Sequence, residues 1–580
     1  MQLTPFSLTH ASSTAQSCHL LFSSQKQVGV LVVGAGPTGL GAATRLHQHG
    51  KKDWLLIDQA QEAGGLACTD VTPEGFLFDM GGHVIFSHYA YFDELIDASL
   101  ESSQGKDAWN TLERVSYVWL KNRWVAYPFQ NNIAALDDDD KIACLTGMAE
   151  AAAETAKSSS NKPANFDEWI LRTMGKGIAD LFMRPYNFKV WAYPTTAMQC
   201  EWLGERVAAP DVKRAITNVI RNKEDAGWGP NAVFRFPKRG GTGAIWKGVA
   251  ELLPKENQKY GPGCAVVALD AESKRATLAS GDVVEYESLL TTMPLDVTLA
   301  AAKAPKELSE GLLKSSSHII GIGLRGKCPH GTKCWLYFPE DDCPFYRTTV
   351  FSNYAEGNCP KDDTRLPTLC LGSGENVSNE NAAKTSGPYW SLMFEVSEST
   401  LKPVDMTPTE LGGREWPSIV RETLAGAVAT GLISSSDEVV SFYHRRLDYG
   451  YPTPSLERDA AVSKALPWLR ERSIWSRGRF GSWKYEVGNQ DHSLMLGVEA
   501  ADNILFGTPE LTLRHPNIVN AKKNEELRFS ERSMREKGGE EKEGHEAKET
   551  ETIAEAVGAS RAKEIAGGNA KTIAVDARAA

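Results

Sequence analysis

A short apolar segment followed directly by a glycine-rich turn is the feature that most constrains how this chain can fold. Residues 28–33 are apolar and mostly β-branched, which is typical of a buried parallel strand. Residues 34–39 form a G-x-G-x-x-G pattern, residues 40–48 have a helical pattern, and residues 54–57 form a second apolar strand that ends at Asp58. This order predicts a Rossmann-like unit within an α/β fold.

Each residue of this pattern has a physical role in holding a dinucleotide. Gly34 permits the tight turn, Gly36 lets a pyrophosphate approach the backbone, and Gly39 lets the helix pack against the strand. Asp58 lies 19 residues beyond Gly39, where its carboxylate would accept hydrogen bonds from a ribose. We predict that a dinucleotide binds at Gly34, Gly36, Thr38, Gly39 and Asp58.

Two paired-glycine steps follow this unit, at residues 64–65 and 81–82. The first resembles the second glycine pair of glutathione-reductase-like and amine-oxidase-like flavoproteins, where it adjoins FAD. The alternative is that both glycine pairs lie in ordinary loops with no role in cofactor binding. The position of both pairs so soon after the dinucleotide pattern weakens this alternative. We therefore predict FAD as the cofactor, and we assign to it Gly64, Gly65, Leu66, Gly81, Gly82 and His83.

Composition excludes several classes of protein. A chain of 580 residues with a formal net charge of −11 is expected to form two or three domains and not to bind nucleic acid, which requires a basic surface. Its ten cysteines show no C-x-x-C and no metal-like pairing with His, so we predict no metal site and a reducing, cytoplasmic location. No apolar run approaches the ~20 residues that span a bilayer, so we expect no membrane partner.

Composition and patterning also divide the chain into parts. Residues 1–27 are predicted to be a disordered extension, and residues 521–580 a charged disordered tail. Between them we predict a Rossmann-like FAD-binding domain with an inserted helical bundle and an antiparallel β-sheet domain. The FAD-binding domain would take residues 28–117, 231–310 and 476–520, the mainly helical substrate domain 118–230, and the antiparallel sheet substrate domain 311–475.

Seven further stretches resemble the eukaryotic UDP-galactopyranose mutases, and the fungal enzymes most closely. They occur in the family's order and, with the dinucleotide unit, cover residues 28–520. The stretches are residues 81–88 (GGHVIFSH), 127–132 (YPFQNN), 183–191 (MRPYNFKVW), 202–206 (WLGER), 334–340 (CWLYFPE), 450–454 (GYPTP) and 478–492 (GRFGSWKYEVGNQDH).

This resemblance implies an isomerase that interconverts UDP-galactopyranose and UDP-galactofuranose and supplies galactofuranose for cell-wall glycans. In that family N5 of reduced FAD attacks the anomeric carbon, and a covalent flavin–sugar iminium intermediate forms before the ring recloses. Fungal members accept hydride from NADPH. Only one dinucleotide unit is visible here, so NADPH would use the sugar-nucleotide pocket in turn. Some relatives are oligomers, so a homo-oligomer is also an expectation.

The resemblance further implies which residues form the site. Arg206 and Arg347 would grip the diphosphate and, with His83, form the catalytic set. Phe182, Tyr186, Asn187 and Trp191 would hold the uracil. The other implied substrate residues are Phe86, His88, Arg114, Tyr127, Gln130, Asn231, Trp335, Tyr337, Tyr354, Tyr451 and Tyr485. The further implied FAD residues are Arg479, Gly488, Asn489, Gln490 and Ser493.

Two other functions remain open from the sequence. An amine-oxidase-like FAD oxidoreductase would explain the glycine patterns but not the two arginines beside an aromatic helix. A binding protein that kept the fold and lost the chemistry ranks last, because none of the motifs is visibly broken.

Overall fold

The computed structural model describes residues 26–157, 162–207, 209–224, 232–377 and 384–520. The charged tail and Asn231 lie outside the described residues, as does the predicted N-terminal extension except for its last two residues. Those two residues, 26 and 27, belong to the first strand.

The described residues form strands and helices throughout. The strands are β1 Lys26–Val33, β2 Trp54–Asp58, β3 Thr69–Val71, β4 Leu77–Asp79, β5 Trp109–Glu113, β6 Ser116–Leu120, β7 Arg123–Ala126, β8 Val233–Pro237, β9 Gln258–Tyr260, β10 Val266–Asp270, β11 Arg275–Leu278, β12 Val283–Thr291, β13 Leu313–Arg325, β14 Trp335–Tyr337, β15 Arg347–Val350, β16 Cys370–Leu371, β17 Tyr389–Glu398, β18 Pro408–Leu411, β19 Arg414–Pro417, β20 Glu438–Thr453 and β21 Ile474–Ser476. The helices are α1 Pro37–Gln48, α2 Ala90–Gln104, α3 Asp138–Lys157, α4 Phe166–Ile178, α5 Arg184–Trp191, α6 Val212–Arg221, α7 Gly243–Glu251, α8 Leu295–Ala301, α9 Ser418–Ala429, α10 Arg458–Arg470, α11 Gln490–Phe506, α12 Leu511–Arg514 and α13 Pro516–Val519.

The first large sheet contains the dinucleotide unit. Its strand order is β10-β11-β12-β1-β2-β9, with β21 also paired to β12. Four of its strand pairs are parallel, as a Rossmann-like sheet requires: β1 with β12, β1 with β2, β2 with β9, and β12 with β21. Helix α1 packs so closely against α11 that Gly41 has no room for a side chain. A Cβ atom on Gly41 would lie 2.4 Å from the Leu494 carbonyl oxygen.

The second large sheet contains several of the residues predicted to bind the substrate, among them Trp335 and Arg347. Its order is β16-β20-β13-β17-β15-β14-β6-β7, and every pair is antiparallel except β6 with β14. The helices α3 to α6 come from the predicted helical insert. The structure differs from that prediction at the start of the insert, because residues 116–126 form β6 and β7 and join this sheet.

The α/β fold class with a Rossmann-like unit is confirmed, whereas the domain boundaries stay predictions. The chain passes between the two sheets several times, and the ribbon formed by β5 and β8 ties together residues more than a hundred positions apart. None of the helices in the described ranges combines the length and hydropathy that a bilayer-crossing segment needs.

Candidate active site

The glycine turn after β1 is shaped by close backbone contacts. Gly34 has a φ of +102°, and a Cβ on Gly39 would lie 1.8 Å from the Gly34 carbonyl oxygen. Gly36 differs, because the nearest atom to a Cβ there is 3.6 Å away, on Gly65. The first and third glycines are therefore needed by the fold, while the second leaves space that a pyrophosphate can approach at the start of α1.

The second glycine pair lies directly against this turn. The Gly64 N–H donates to the Ala35 carbonyl oxygen at 2.9 Å. Asp58 accepts from the N–H groups of Ala35 at 2.6 Å and Ala60 at 2.7 Å, so its carboxylate also fixes the turn. Burial raises the pKa of Asp58, although the two backbone hydrogen bonds oppose this shift. The structure thus places Gly36, Gly64, Gly65 and Asp58 around one locus.

The histidine loop at residues 81–83 connects this locus to the second sheet. The Gly82 N–H donates to Oε1 of Glu395 at 3.0 Å. Burial lowers the pKa of His83 to about 4, with nearby Arg479 and Arg347 acting in the same direction and Glu395 against them. The imidazole is therefore neutral near pH 7, and it is not poised as a general base of ordinary strength.

Arg347 begins β15 and pairs with Glu395 of β17, the residue opposite it in the antiparallel register. Its Nε and Nη2 donate to the two carboxylate oxygens at 2.7 and 2.8 Å. The Tyr346 hydroxyl donates to the same carboxylate at 2.6 Å. Burial would raise the pKa of Glu395, but the charge of Arg347 and these hydrogen bonds outweigh burial and lower it.

Arg206 reaches the site from a short helical turn in another segment. Its guanidinium donates to the Asn489 side-chain oxygen at 3.2 Å and to the Glu486 carbonyl oxygen at 2.8 Å. The guanidinium carbon also lies 4.8 Å from the centroid of the Tyr485 ring. Arg206 is thus held by neutral groups, whereas Arg347 is held by a carboxylate.

Three of the four residues predicted to bind uracil, Phe182, Tyr186 and Asn187, lie where α5 begins, whereas the fourth, Trp191, is the last residue of that helix. Phe182, in the π-helical turn Ala179–Met183, stacks on Tyr186 at a centroid distance of 5.1 Å. Tyr186 meets Tyr337 edge-on at 5.6 Å, and Tyr337 packs against Tyr127 at 5.1 Å. Arg114 lies over Tyr127 at 5.2 Å. This group is an aromatic cluster with a cation at its edge.

A second aromatic group surrounds the C-terminal end of α5. The ring of Trp191 lies 4.8 Å from that of Tyr485 and 5.4 Å from that of Tyr451. The guanidinium of Arg479 lies 5.0 Å from Tyr451 and 5.2 Å from Tyr485. Because Tyr186 and Trp191 occupy the two ends of one helix, α5 joins both aromatic groups.

Other predicted site residues are held by specific partners. Nδ1 of His88 is 2.8 Å from Asp491, and Gln490 accepts a hydrogen bond from the Trp246 indole at 2.7 Å. The Asn187 amide donates to the Met183 carbonyl oxygen at 2.7 Å. Four further predicted residues are buried, namely Thr38, Gln130, Tyr354 and Ser493. The Phe86 ring contacts the His88 ring, whereas the Leu66 side chain is exposed. Gly488 accepts from Arg479 at 3.2 Å through its carbonyl oxygen.

Several buried polar atoms in and near the predicted site could hydrogen-bond a ligand such as the predicted flavin. Within the described residues they have no hydrogen-bond partner, which is rare for buried polar atoms and indicates a place for ligand or water. These atoms are Nδ1 of His83, Nε1 of Trp335, Oγ1 of Thr349 and the hydroxyl of Tyr354.

Sequence reasoning missed Glu395, Tyr346 and Asp491, each of which contacts a predicted site residue. The one available signal for Glu395 was a single charge inside the apolar run at residues 389–396. A charge buried in a central strand is costly unless it is paired, so such a residue suggests a buried partner. No local pattern identifies that partner as Arg347.

Comparison with known proteins shows the family of the chain. A family model described as an NAD(P)-binding Rossmann-like domain matches residues 32–98. A wild-type putrescine oxidase bound to putrescine has a TM-score of 0.51 at 15% identity, covering 83% of this chain and 100% of that one, a likeness of fold alone. A crystal structure of reduced UDP-galactopyranose mutase has a TM-score of 0.76 at 42% identity, covering 86% of this chain and 98% of that one. The chain therefore belongs to the UDP-galactopyranose mutase family.

Proposed function

We propose that this chain interconverts UDP-galactopyranose and UDP-galactofuranose with the help of reduced FAD. The observation that supports this most directly is an unbroken set of contacts between the two arginines that come from separate segments. The contacts run from Arg206 through Tyr485, Tyr451, Tyr346 and Glu395 to Arg347. These contacts bring two cations from separate segments together with several aromatic side chains, a combination that would suit a nucleoside diphosphate sugar.

Different residues would bind different parts of such a substrate. Arg206 and Arg347 would bind the diphosphate oxygens, whose negative charge rises as the anomeric bond breaks. Tyr186 would offer an aromatic face to the uracil ring, and Phe182, stacked between Phe129 and Tyr186, would support it from behind. Trp191, Tyr451 and Tyr485 line the other end of α5 and would exclude water from the diphosphate.

The glycine turn, Asp58 and the histidine loop would hold FAD. When bound in its reduced form, this cofactor supplies the nucleophilic nitrogen for the anomeric carbon that the family resemblance implies. The neutral His83 would present hydrogen-bonding groups to it and not a charge. We further propose NADPH as the reductant, a cytoplasmic location, and galactofuranose for cell-wall glycans as the use of the product.

Assay of the purified holoprotein with UDP-galactofuranose under dithionite tests the proposal. UDP-galactopyranose should accumulate over many turnovers, and the oxidised protein should be inert. Because the isomerisation returns the cofactor unchanged, one reduction should support many turnovers. Consumption of one NADPH per product would favour an oxidoreductase instead.

Binding can be tested separately from turnover. UDP should quench the tryptophan fluorescence of the protein, because Trp191 lies in the second aromatic group. Trp191→Phe should reduce the quenching, whereas Trp416→Phe, on β19, should leave it unchanged. Failure of UDP to bind would count against a sugar-nucleotide substrate whatever the cofactor proves to be.

A further inference from the structure

Glu395 receives hydrogen bonds from both halves of the candidate site. Its side chain is 3% exposed, in the central strand β17 of the second sheet. From the substrate side it accepts from Arg347 at 2.7 and 2.8 Å and from the Tyr346 hydroxyl at 2.6 Å. From the cofactor side it accepts from the Gly82 N–H at 3.0 Å.

We propose that Glu395 is a positioning residue that sets the direction of Arg347 and the place of the histidine loop together. The proposal rests on the proposed function, since it gives Arg347 a diphosphate to bind. Glu395 would not touch the substrate itself. Its carboxylate would keep the cation that stabilises the leaving diphosphate in a fixed relation to the loop beside the cofactor.

The form of the ion pair explains how one carboxylate can direct the arginine. A carboxylate that takes both Nε and Nη2 fixes the guanidinium plane by two parallel hydrogen bonds. The N–H groups of Nη1 lie on the opposite edge of the guanidinium and remain available to a phosphate oxygen. Loss of the fork would leave the charge of Arg347 in place but free its plane to rotate.

Close packing links the same carboxylate to the histidine loop. A Cβ on Gly82 would lie 3.1 Å from Oε1 of Glu395, 3.1 Å from Oγ1 of Thr349 and 2.9 Å from Nε1 of Trp335. The loop backbone therefore approaches β15 and β17 as closely as a glycine permits. A shift of the Glu395 carboxylate would move both the Gly82 amide and the adjacent His83.

A purely structural role is the alternative, in which Glu395 only neutralises a buried cation. Such a role would affect stability, and it would not separate substrate binding from turnover. A positioning role affects turnover most, because a misplacement of about 1 Å can cost about a hundredfold in rate. Charge attraction depends much less on orientation, so UDP affinity should change little.

The test compares Glu395→Gln and Glu395→Asp with the wild-type holoprotein. We expect kcat for UDP-galactofuranose under dithionite to fall about ten- to a hundredfold in both variants. The Kd for UDP, from tryptophan quenching, should stay within about threefold in Glu395→Asp, which keeps the charge, and should not rise in Glu395→Gln, which removes a negative charge beside Arg347. The absorption spectrum of the bound flavin should shift in Glu395→Gln, because Gly82 loses a charged acceptor. Glu395→Asp keeps the buried charge and still breaks the fork, which provides a readout if the Gln variant does not fold.

Glu510→Gln is the matched control. Arg477 and Glu510 form a forked pair that none of the site predictions includes, and the Glu510 carboxylate is about as buried as that of Glu395. Loss of the Arg477–Glu510 pair in this control should lower the unfolding temperature while kcat and the Kd for UDP stay near wild type. If the Glu395 variants lose only stability, as the control does, the positioning role is overturned.

A double-mutant cycle with Arg347→Ala completes the test. Because Glu395 would act partly through Arg347, Glu395→Gln should lower kcat by a smaller factor in the Arg347→Ala background than in the wild-type protein, and the remaining loss would report the histidine loop. Full additivity would overturn the proposal. Absence of turnover in the wild-type protein would instead count against the proposed function. Separately, an unchanged flavin spectrum in Glu395→Gln would count against the link between Glu395 and the histidine loop.

Discussion

The guanidinium carbon of Arg206 lies 4.8 Å from the centre of the Tyr485 ring, and the other contacts of this arginine are with the Asn489 amide and a backbone carbonyl. All three partners are uncharged. In this set of contacts the positive charge of Arg206 is therefore not paired with a carboxylate, whereas that of Arg347 is paired with Glu395. Arg206 should contribute more to attracting an anionic ligand, and Arg347 more to fixing its orientation.

Arg206→Ala and Arg347→Ala should each lower kcat/KM about ten- to a hundredfold. Each change removes a charge-assisted hydrogen bond to a desolvated diphosphate, of the kind worth roughly 1.5–3 kcal/mol. The Lys variants should rescue poorly, because an ammonium cannot form a fork with two oxygens. Steady-state assays with dithionite-reduced protein measure the effect.

Arg172→Ala is the control for both arginine variants. Arg172 lies on α4 and pairs with Glu168 at the exposed surface, so its removal should change kcat/KM little. FAD content should stay near wild type in the two site variants. The unfolding temperature should stay near wild type in Arg206→Ala but fall in Arg347→Ala, because that change leaves the buried Glu395 carboxylate without its cation. Wild-type kcat/KM in both would show that these arginines do not bind the diphosphate.

Local features of the site could be predicted from sequence, and long-range pairings could not. The turn at Gly34, Gly36 and Gly39 is specified by its neighbours along the chain, so its pattern is sufficient. The pairing of Arg347 with Glu395 depends on which strand lies beside β15, which no local pattern determines. Strands β6 and β7 were missed for the same reason, because β6 pairs with β14 from a distant segment.

Gly36→Ala and Gly39→Ala should have different consequences although they lie in one turn. A Cβ at Gly36 has 3.6 Å of clearance, so the protein should fold but bind FAD more weakly. A Cβ at Gly39 would lie 1.8 Å from a carbonyl oxygen, so that variant should lose stability even without cofactor. Unfolding temperatures of the apoproteins and FAD titrations separate the two effects. Equal stability of the two apoproteins would contradict this assignment.

The pH dependence of turnover should not report the imidazole of His83. Burial lowers its pKa to about 4, so the ring is already neutral across the range from pH 6 to 8. His83→Ala should therefore lower kcat by a similar factor at every pH in this range and leave the shape of the profile unchanged. Loss of an ionisation near pH 6 to 7 in the variant would show that His83 titrates during catalysis.

Asp79 should make the wild-type protein less stable as the pH rises from about 4 to 7. This carboxyl is completely buried at the end of β4, two residues before the histidine loop, and burial raises its pKa to about 7 despite hydrogen bonds from Thr69 and Thr242. An acid whose pKa is raised by folding adds its full stability below its unfolded pKa of about 3.8, and this contribution is lost as the pH rises to the folded value. The loss amounts to at most about 4 kcal/mol for a shift of this size.

Asp79→Asn removes this titration and should keep the neutral hydrogen-bonding pattern with the two threonines. Relative to the wild-type protein, the variant should therefore be more stable at pH 8 than at pH 5, which means a larger free energy of unfolding. Urea unfolding of the apoproteins at both pH values measures the difference. Asp139→Asn, at an exposed position in the first turn of α3, is the control and should show the same relative stability at both pH values. A relative stability of Asp79→Asn that stays constant from pH 5 to 8 would show that this carboxyl is ionised, and not protonated, in the folded protein at pH 5.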